Sequence, residues 1–363
     1  MPMALSTPAM SATLSANSNP FSVDLGAPFG KIYVSGAVSG LLNGQTNAID
    51  PPDKSWFGDL SNAQVFIQKT DGPVQFYLQA GAYSIPSLSV PYAHVSDSRT
   101  IENNTFGFLP QAYIKLQPTA EFSIEAGKLP TLVGAEYTFS FENINVNRGL
   151  LWNLEPAVSR GVQANYSKGP LTISLSLTDG YYSDRYNWLT GLISYAVTKK
   201  DTLAFVGGSN LGETPKNTFA TIPALNNGSI YNVLWTHTED KWVFNPYFQY
   251  THVDANPDLG WTHGGSTWGV AGLWKFTITP EWSMGARAEY IAQTGTKHDM
   301  LAPVLLYGPD TDAFSFTLTP TYQKGIFYIR ADGAYVHAST PFFGSDLDAH
   351  TQFRFTGEAG ILF

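Results

Sequence analysis

The closing stretch of this chain, His350 to Phe363, alternates between two kinds of residue without a break. Phe353, Phe355, Gly357, Ala359, Ile361 and Phe363 are apolar or small. Gln352, Arg354, Thr356, Glu358, Gly360 and Leu362, between them, are mostly polar. A period of two is the signature of a strand whose faces meet different media. Here one face suits lipid and the other suits water. The same alternation recurs from about Gly30 to the end, so it constrains the whole chain.

Composition sharpens the reading. No apolar run reaches the roughly 20 residues of a spanning helix, and mean hydropathy is -0.10. Yet only 13% of the 363 residues are charged while 14% are aromatic. Low charge without long apolar runs is expected where lipid-facing and lumen-facing residues alternate along each strand. Cys is absent, which excludes disulfides and thiolate metal sites and suits export through an oxidising periplasm. A net charge of -9 argues against nucleic acid as a partner. The fold class that follows is all-β, a transmembrane antiparallel barrel of the bacterial outer membrane.

Turn signals of two kinds punctuate the alternation. Short turns fall at 70–73, 118–121, 167–170, 198–201, 238–241, 279–281 and 323–325. Long connections fall at 43–59, 86–104, 130–158, 180–187, 211–227, 253–264, 294–311 and 338–349. Together they join sixteen strands, an even number with short periplasmic turns and long external loops. In hydrocarbon every backbone N–H and C=O must be paired, so the strands must close on themselves. Residues 28–363 read as a single barrel. Residues 1–27 read as a signal remnant or flexible N-terminal tail, with an export signal expected upstream of this numbering.

Parity assigns the faces. Leu171, Ile173, Leu175 and Leu177 should face lipid, and Thr172, Ser174, Ser176 and Thr178 water; Phe314, Phe316 and Leu318 alternate with Ser315, Thr317 and Thr319 in the same way. Phe122, Trp242, Trp282 and Phe327 follow short turns, and Phe363 ends at their level. These five are expected in a periplasmic aromatic girdle.

A sixteen-stranded barrel is too wide for wall side chains to fill, so a water-filled channel is expected. The third external loop, 130–158, is the longest inside the repeating pattern. It carries Glu136, Glu142 and Glu155 with many apolar residues, and is expected to fold into the lumen. Parity places a basic wall opposite it: Lys31, Arg287, Arg330 and Arg354, with Glu289, Asp332 and Glu358 as further lumen charges. The expectation is a transverse field across a water-filled constriction, acidic loop against basic wall. Neutralising Arg287, Arg330 and Arg354 is then expected to shift ion preference with little loss of folding. Parity on the strand holding Arg330 and Asp332 is vulnerable to a bulge near Gly325.

His94, His252, His263, His298, His337 and His350 fall in or beside external loops, without any compact ligand spacing. No metal, cofactor or catalytic residue is assigned, and no enzyme activity is expected. The stretch 127–209 resembles the OmpL-like β-barrel porins of Gram-negative outer membranes. The resemblance rests on GK at Gly127–Lys128, RGLLWNLEP at Arg148–Pro156, SRGVQANY at Ser159–Tyr166 and DGYYSDRYNW at Asp179–Trp188. It implies a porin-type channel and supplies no substrate.

The function expected is passive diffusion of small hydrophilic solutes. Outer-membrane lipid, lipopolysaccharide and a homotrimeric assembly are the expected partners. A sugar-selective channel is the alternative, suggested by Trp152, Tyr181, Tyr182, Tyr186, Trp188, Trp261 and Trp268. A non-conducting barrel acting as adhesin or scaffold is another.

Overall fold

The computed structural model describes residues 14–26, 30–49, 53–95, 105–218 and 220–363. A short strand, β1 (Phe21–Asp24), precedes sixteen barrel strands. The first eight are β2 (Lys31–Gln45), β3 (Trp56–Lys69), β4 (Val74–Tyr83), β5 (Gln111–Leu116), β6 (Phe122–Pro130), β7 (Val158–Lys168), β8 (Leu171–Thr178) and β9 (Trp188–Ala196). The rest are β10 (Asp201–Asn210), β11 (Gly228–Glu239), β12 (Trp242–Val253), β13 (Gly265–Thr277), β14 (Trp282–Gln293), β15 (Thr311–Lys324), β16 (Phe327–Ala338) and β17 (Thr351–Leu362). Each barrel strand pairs antiparallel with the next, and β17 pairs with β2 to close the sheet. Closure leaves no long unpaired edge.

The two faces follow parity. On β8, Leu175 and Leu177 are outward and exposed, while Ser174 and Ser176 are inward and buried. On β15, Phe314, Phe316 and Leu318 are outward, and Ser315, Thr317 and Thr319 have almost no exposure. The polar set is buried and the apolar set exposed, the reverse of a water-soluble core. β15 and β16 keep one register throughout, so Arg330 and Asp332 point inward. The register shift in the sheet lies elsewhere, where β3 carries one extra residue opposite Ser39 and Gly40.

Trp242, Trp282 and Phe327 stand exposed at the starts of their strands beside short turns. Trp242 packs on Phe276 with centroids 4.2 Å apart, and Trp282 on Tyr322 at 5.0 Å. Phe122 faces Tyr166 across the β6–β7 ladder, and Phe363 hydrogen-bonds through its backbone to Gly36.

One expectation needs correction. Residues 14–26 are not a loose tail. β1 pairs with β2 from Phe21–Val34 to Asp24–Lys31. β17 leaves β2 at Ala37, so β1 covers the part of that edge left bare. Ser15 exchanges two hydrogen bonds with the Gln323 side chain, and Leu14 packs among Ala37, Tyr328 and Leu362. The physical reason is that β2 runs past its partner, and its unpaired N–H and C=O groups need acceptors and donors. The signal-like residues 1–13 lie outside the described residues.

Inserting a charge on the outward face tests this orientation. Leu175→Arg, midway along β8, should lower unfolding stability by about 2–4 kcal/mol. Urea titration of the barrel refolded in lipid vesicles measures the change; an unaltered midpoint would place Leu175 inside.

Candidate functional site

The inward-facing side chains enclose the segment 131–157 between β6 and β7. Hydrogen bonds tie this loop to wall residues around much of the barrel. Gly134 N donates to Asn232 of β11 at 3.2 Å, and Gln249 of β12 donates to Leu151 O at 3.0 Å. On β16, Asp332 accepts from Val146 N at 3.0 Å and Asn147 N at 2.7 Å. Asn145 donates to Thr319 of β15, and Asn62 of β3 donates to Ser140.

The stretch Asn143–Arg148 shows why the sequence does this. Asn143, Asn145 and Asn147 alternate with Ile144 and Val146, and all five are buried. Amides at alternate positions satisfy the wall and the loop's own backbone, while Ile144 fills the apolar interior. Gly285 of β14 makes room for it: a Cβ there would lie 2.6 Å from Ile144 Cγ2.

Two wall clusters hold the loop by charge. In the first, Arg287 Nη1 donates to Glu136 Oε1 at 2.6 Å and to Asn147 O at 2.7 Å. Arg287 Nε stands 3.0 Å from Glu289, which accepts from Leu150 N and Leu151 N. In the second, Arg330 Nε donates to Glu358 at 2.7 Å, and its Nη atoms donate to Asn143 O and Ser140 O. Ser140 Oγ donates to the other Glu358 oxygen at 2.7 Å. Arg354 donates to Ser87 O and Gln45, joining the segment 84–95 to the same wall.

The adjoining sector, β9–β13, offers the loop apolar groups beside Asn232 and Gln249. Leu192, Val206, Ile230, Leu234 and Leu273 point inward from β9–β11 and β13, and cluster with Leu132, Val133, Leu151 and Leu154 of the loop. The loop therefore meets an apolar sector and a charged sector, each matched by its own residues.

These contacts correct three expectations. Arg287, Arg330 and Arg354 do not face the loop acids across water: all are buried, Arg287 and Arg330 because Glu136 and the loop's backbone carbonyls reach them, and Arg354 because it donates to Ser87 O and Gln45. Lys31 is not part of the sector. It lies at the exposed start of β2, six residues beyond the β17 pairing at Ala37, roughly 20 Å along the strand, with its ammonium 5.3 Å from the Tyr33 ring. Glu155 turns away from the basic wall and accepts from Tyr247 of β12 at 3.2 Å.

Glu142 is different again. It is half-buried, within electrostatic reach of Tyr77 of β4 and Tyr113 of β5. Its neighbours Phe139 and Phe141 pack on Tyr83 and Phe66, setting this turn of the loop against β3 and β4. Lys115, partly exposed on β5, lies 3.7 Å from Glu125, buried on β6. Sequence reading missed Asn143, Asn145, Asn147, Tyr77, Tyr113, Lys115 and Glu125. The alternating asparagines were a visible signal; the others needed the loop's path.

The aromatic residues that suggested sugar stacking do not assemble. Trp188 is buried inward against Tyr181, whereas Trp268 faces outward and Tyr186 is exposed outside. Among the described residues no three His, Asp or Glu side chains gather as a metal site.

The buried pair gives a direct test. Glu136→Ala and Arg287→Ala should each cost about 3–5 kcal/mol, since either leaves charge buried without its partner. The double variant should cost less than the sum. Strict additivity in urea unfolding would mean that the two groups do not interact.

Comparison with known proteins agrees with this architecture. A family model described as beta-barrel porin-2, OmpL-like, matches residues 31–363. No curated protein matches the sequence. Among solved structures, an anion-selective porin from Comamonas acidovorans superposes with a TM-score of 0.63 at 9% identity, covering 92% of this chain and 99% of that one. OmpT (in-vitro folded), an outer-membrane protein of Vibrio cholerae, gives 0.62 at 14% identity, with 93% and 99% covered. The outer-membrane channel DcaP of Acinetobacter baumannii gives 0.60 at 12%, with 95% and 99% covered. At such identities the likeness establishes the sixteen-stranded barrel and nothing finer. The family match spans every barrel strand from Lys31 onward, so the chain belongs to the OmpL-like β-barrel porins of the outer membrane.

Proposed function

We propose that this porin is a non-enzymatic, passive diffusion channel for small hydrophilic solutes, and that loop 131–157 forms its constriction. The observation that carries this reading is the asymmetry of the loop. The Arg287–Glu136 ion pair and the hydrogen bonds of Arg330, Asp332 and Glu358 fix it to β14–β17, apolar contacts fix it to β9–β13, and Ser140, Phe139 and Phe141 rest on β3 and the end of β4, so its remaining flank faces β4–β8. That sector carries inward amides and hydroxyls: Gln75 and Gln79 on β4, Gln163 and Asn165 on β7, Ser174 and Ser176 on β8. The solute path runs here, past Glu142, Tyr77, Tyr113 and the Lys115–Glu125 pair.

A wall of neutral hydrogen-bonding groups exchanges partners with water at little cost and discriminates weakly. Glu142, next to a self-neutralising pair, supplies a net negative charge in this sector once it ionises, which burial delays to a pH of about 7. A mild preference for cations follows, strongest at low salt because screening extends about 10 Å at 0.1 M. The chain assembles as a trimer, as does OmpT of Vibrio cholerae in one solved form. The sugar-selective reading loses its support with the scattering of the aromatic residues.

Planar-bilayer recording tests the proposal. Current should rise linearly with voltage and with salt, without saturating. Glu142→Gln should move the reversal potential toward zero by about half or more, with conductance kept within roughly twofold. A silent wild-type barrel would remove the channel reading. An unchanged reversal potential in Glu142→Gln would remove this constriction.

A further inference from the structure

On the outside of the barrel, near the external ends of β6 and β7, lies a cavity of about 590 Å³. Its floor is apolar, with Val162 and Leu177 below and Leu109 and Tyr186 at its margin. Two cations border it. Lys128 and Arg160 occupy directly paired positions on adjacent strands, and both alternate with inward residues, so both face outward. Nothing in the channel reading uses this face.

The electrostatics there are unbalanced. Arg160 is neutralised by Asp179 at 2.7 Å and Asp184 at 2.5 Å, with its guanidinium 3.9 Å from the Tyr182 ring centroid. Asp184 also binds Lys216, and that hydrogen bond first, then the Arg160 charge, holds its carboxyl below the usual range. Lys128 has no carboxylate partner among the described residues. Its ammonium donates to Leu109 O at 2.9 Å and Phe106 O at 3.2 Å, and stands 5.3 Å from the Tyr182 ring. Three cations against two carboxylates leave one net positive charge, on Lys128, above an apolar groove.

The height of the wall matters. β5 is six residues long, and a strand crossing the hydrocarbon needs about 9–11. Ala112, paired with Lys128, is the second residue of β5, so the cation stands at the local rim of the hydrogen-bonded wall. A lipid-facing charge is tolerated near the interface and not at the midplane. The interface therefore dips to Lys128 in this sector.

We propose that this groove is a binding site for a phosphorylated, acylated glycolipid of the outer leaflet. An acyl chain lies over Val162 and Leu177, and a headgroup phosphate accepts from Lys128, with Tyr186 flanking the sugar. The match is between a lone cation at the interface and an anion that arrives with its own apolar chain.

Native mass spectrometry of the full chain in detergent tests this, with diphosphoryl lipid A, its dephosphorylated form and inorganic phosphate as probes. Diphosphoryl lipid A should bind at least about tenfold more tightly than the dephosphorylated lipid, the factor expected for one charge-assisted hydrogen bond. Inorganic phosphate should not bind. Lys128→Gln should weaken lipid A by about tenfold. Val162→Trp, which fills the groove from a lipid-facing position, should weaken both lipids. Wild-type lipid affinity in both variants would overturn the proposal. So would loss of subunit association in Val162→Trp with lipid binding intact, which would assign the groove to a second copy. Channel conductance should be unchanged in both variants, which separates this site from the pore.

Discussion

Backbone hydrogen bonding sets everything else. In hydrocarbon an unpaired N–H or C=O costs several kcal/mol, so the sixteen strands must form a ring. A ring this wide leaves a lumen that wall side chains alone cannot fill. Its contents must come from a connection, and the segment 131–157 supplies them. Even β1 follows from the same constraint, since it occupies the edge of β2 that β17 does not reach.

The loop stays in place because it matches two unlike surfaces. Buried charges are stabilising only when their partners and hydrogen bonds are complete. Arg330 meets Glu358, Asn143 O and Ser140 O, and Asp332 meets Val146 N, Asn147 N and Thr319. These wall charges satisfy loop backbone that would otherwise be buried unpaired. Leu132, Leu151 and Leu154 pack on the adjoining apolar groups of β9–β13. A loop with only one of these faces would leave the other wall sector exposed to water. The same balance explains why neutralising Arg287, Arg330 and Arg354 is not the mild change that a solvated basic wall would allow. It would strand Glu136, Glu289, Asp332 and Glu358 and loosen the loop.

Much of the fold was legible in the sequence, because period-two alternation encodes the face of each residue. The seven short turns and eight long connections came from turn chemistry, and Arg330 and Asp332 were correctly turned inward. Parity does not encode height, and Lys31 shows the consequence: a lumen-parity residue at the rim, far from the sector it was grouped with. Nor does it reveal long-range partners. Glu136, Glu142 and Glu155 looked equivalent in sequence, yet one pairs with Arg287, one faces Tyr77 and Tyr113, and one contacts Tyr247. The extra residue in β3 opposite Ser39 and Gly40 left no turn signal at all. Residues 14–26 were misread because four strand residues are too few to show a period.

The account stands on the loop occupying its place in the resting channel, and one crosslink measures that. The chain has no Cys, so Asn145→Cys with Thr319→Cys introduces the sole reactive pair, at positions whose side chains lie 2.6 Å apart. The account predicts that the disulfide forms readily under mild oxidation and that conductance in planar bilayers is the same oxidised or reduced. Failure to crosslink, or a marked fall in conductance on oxidation, would show that the loop normally lies elsewhere.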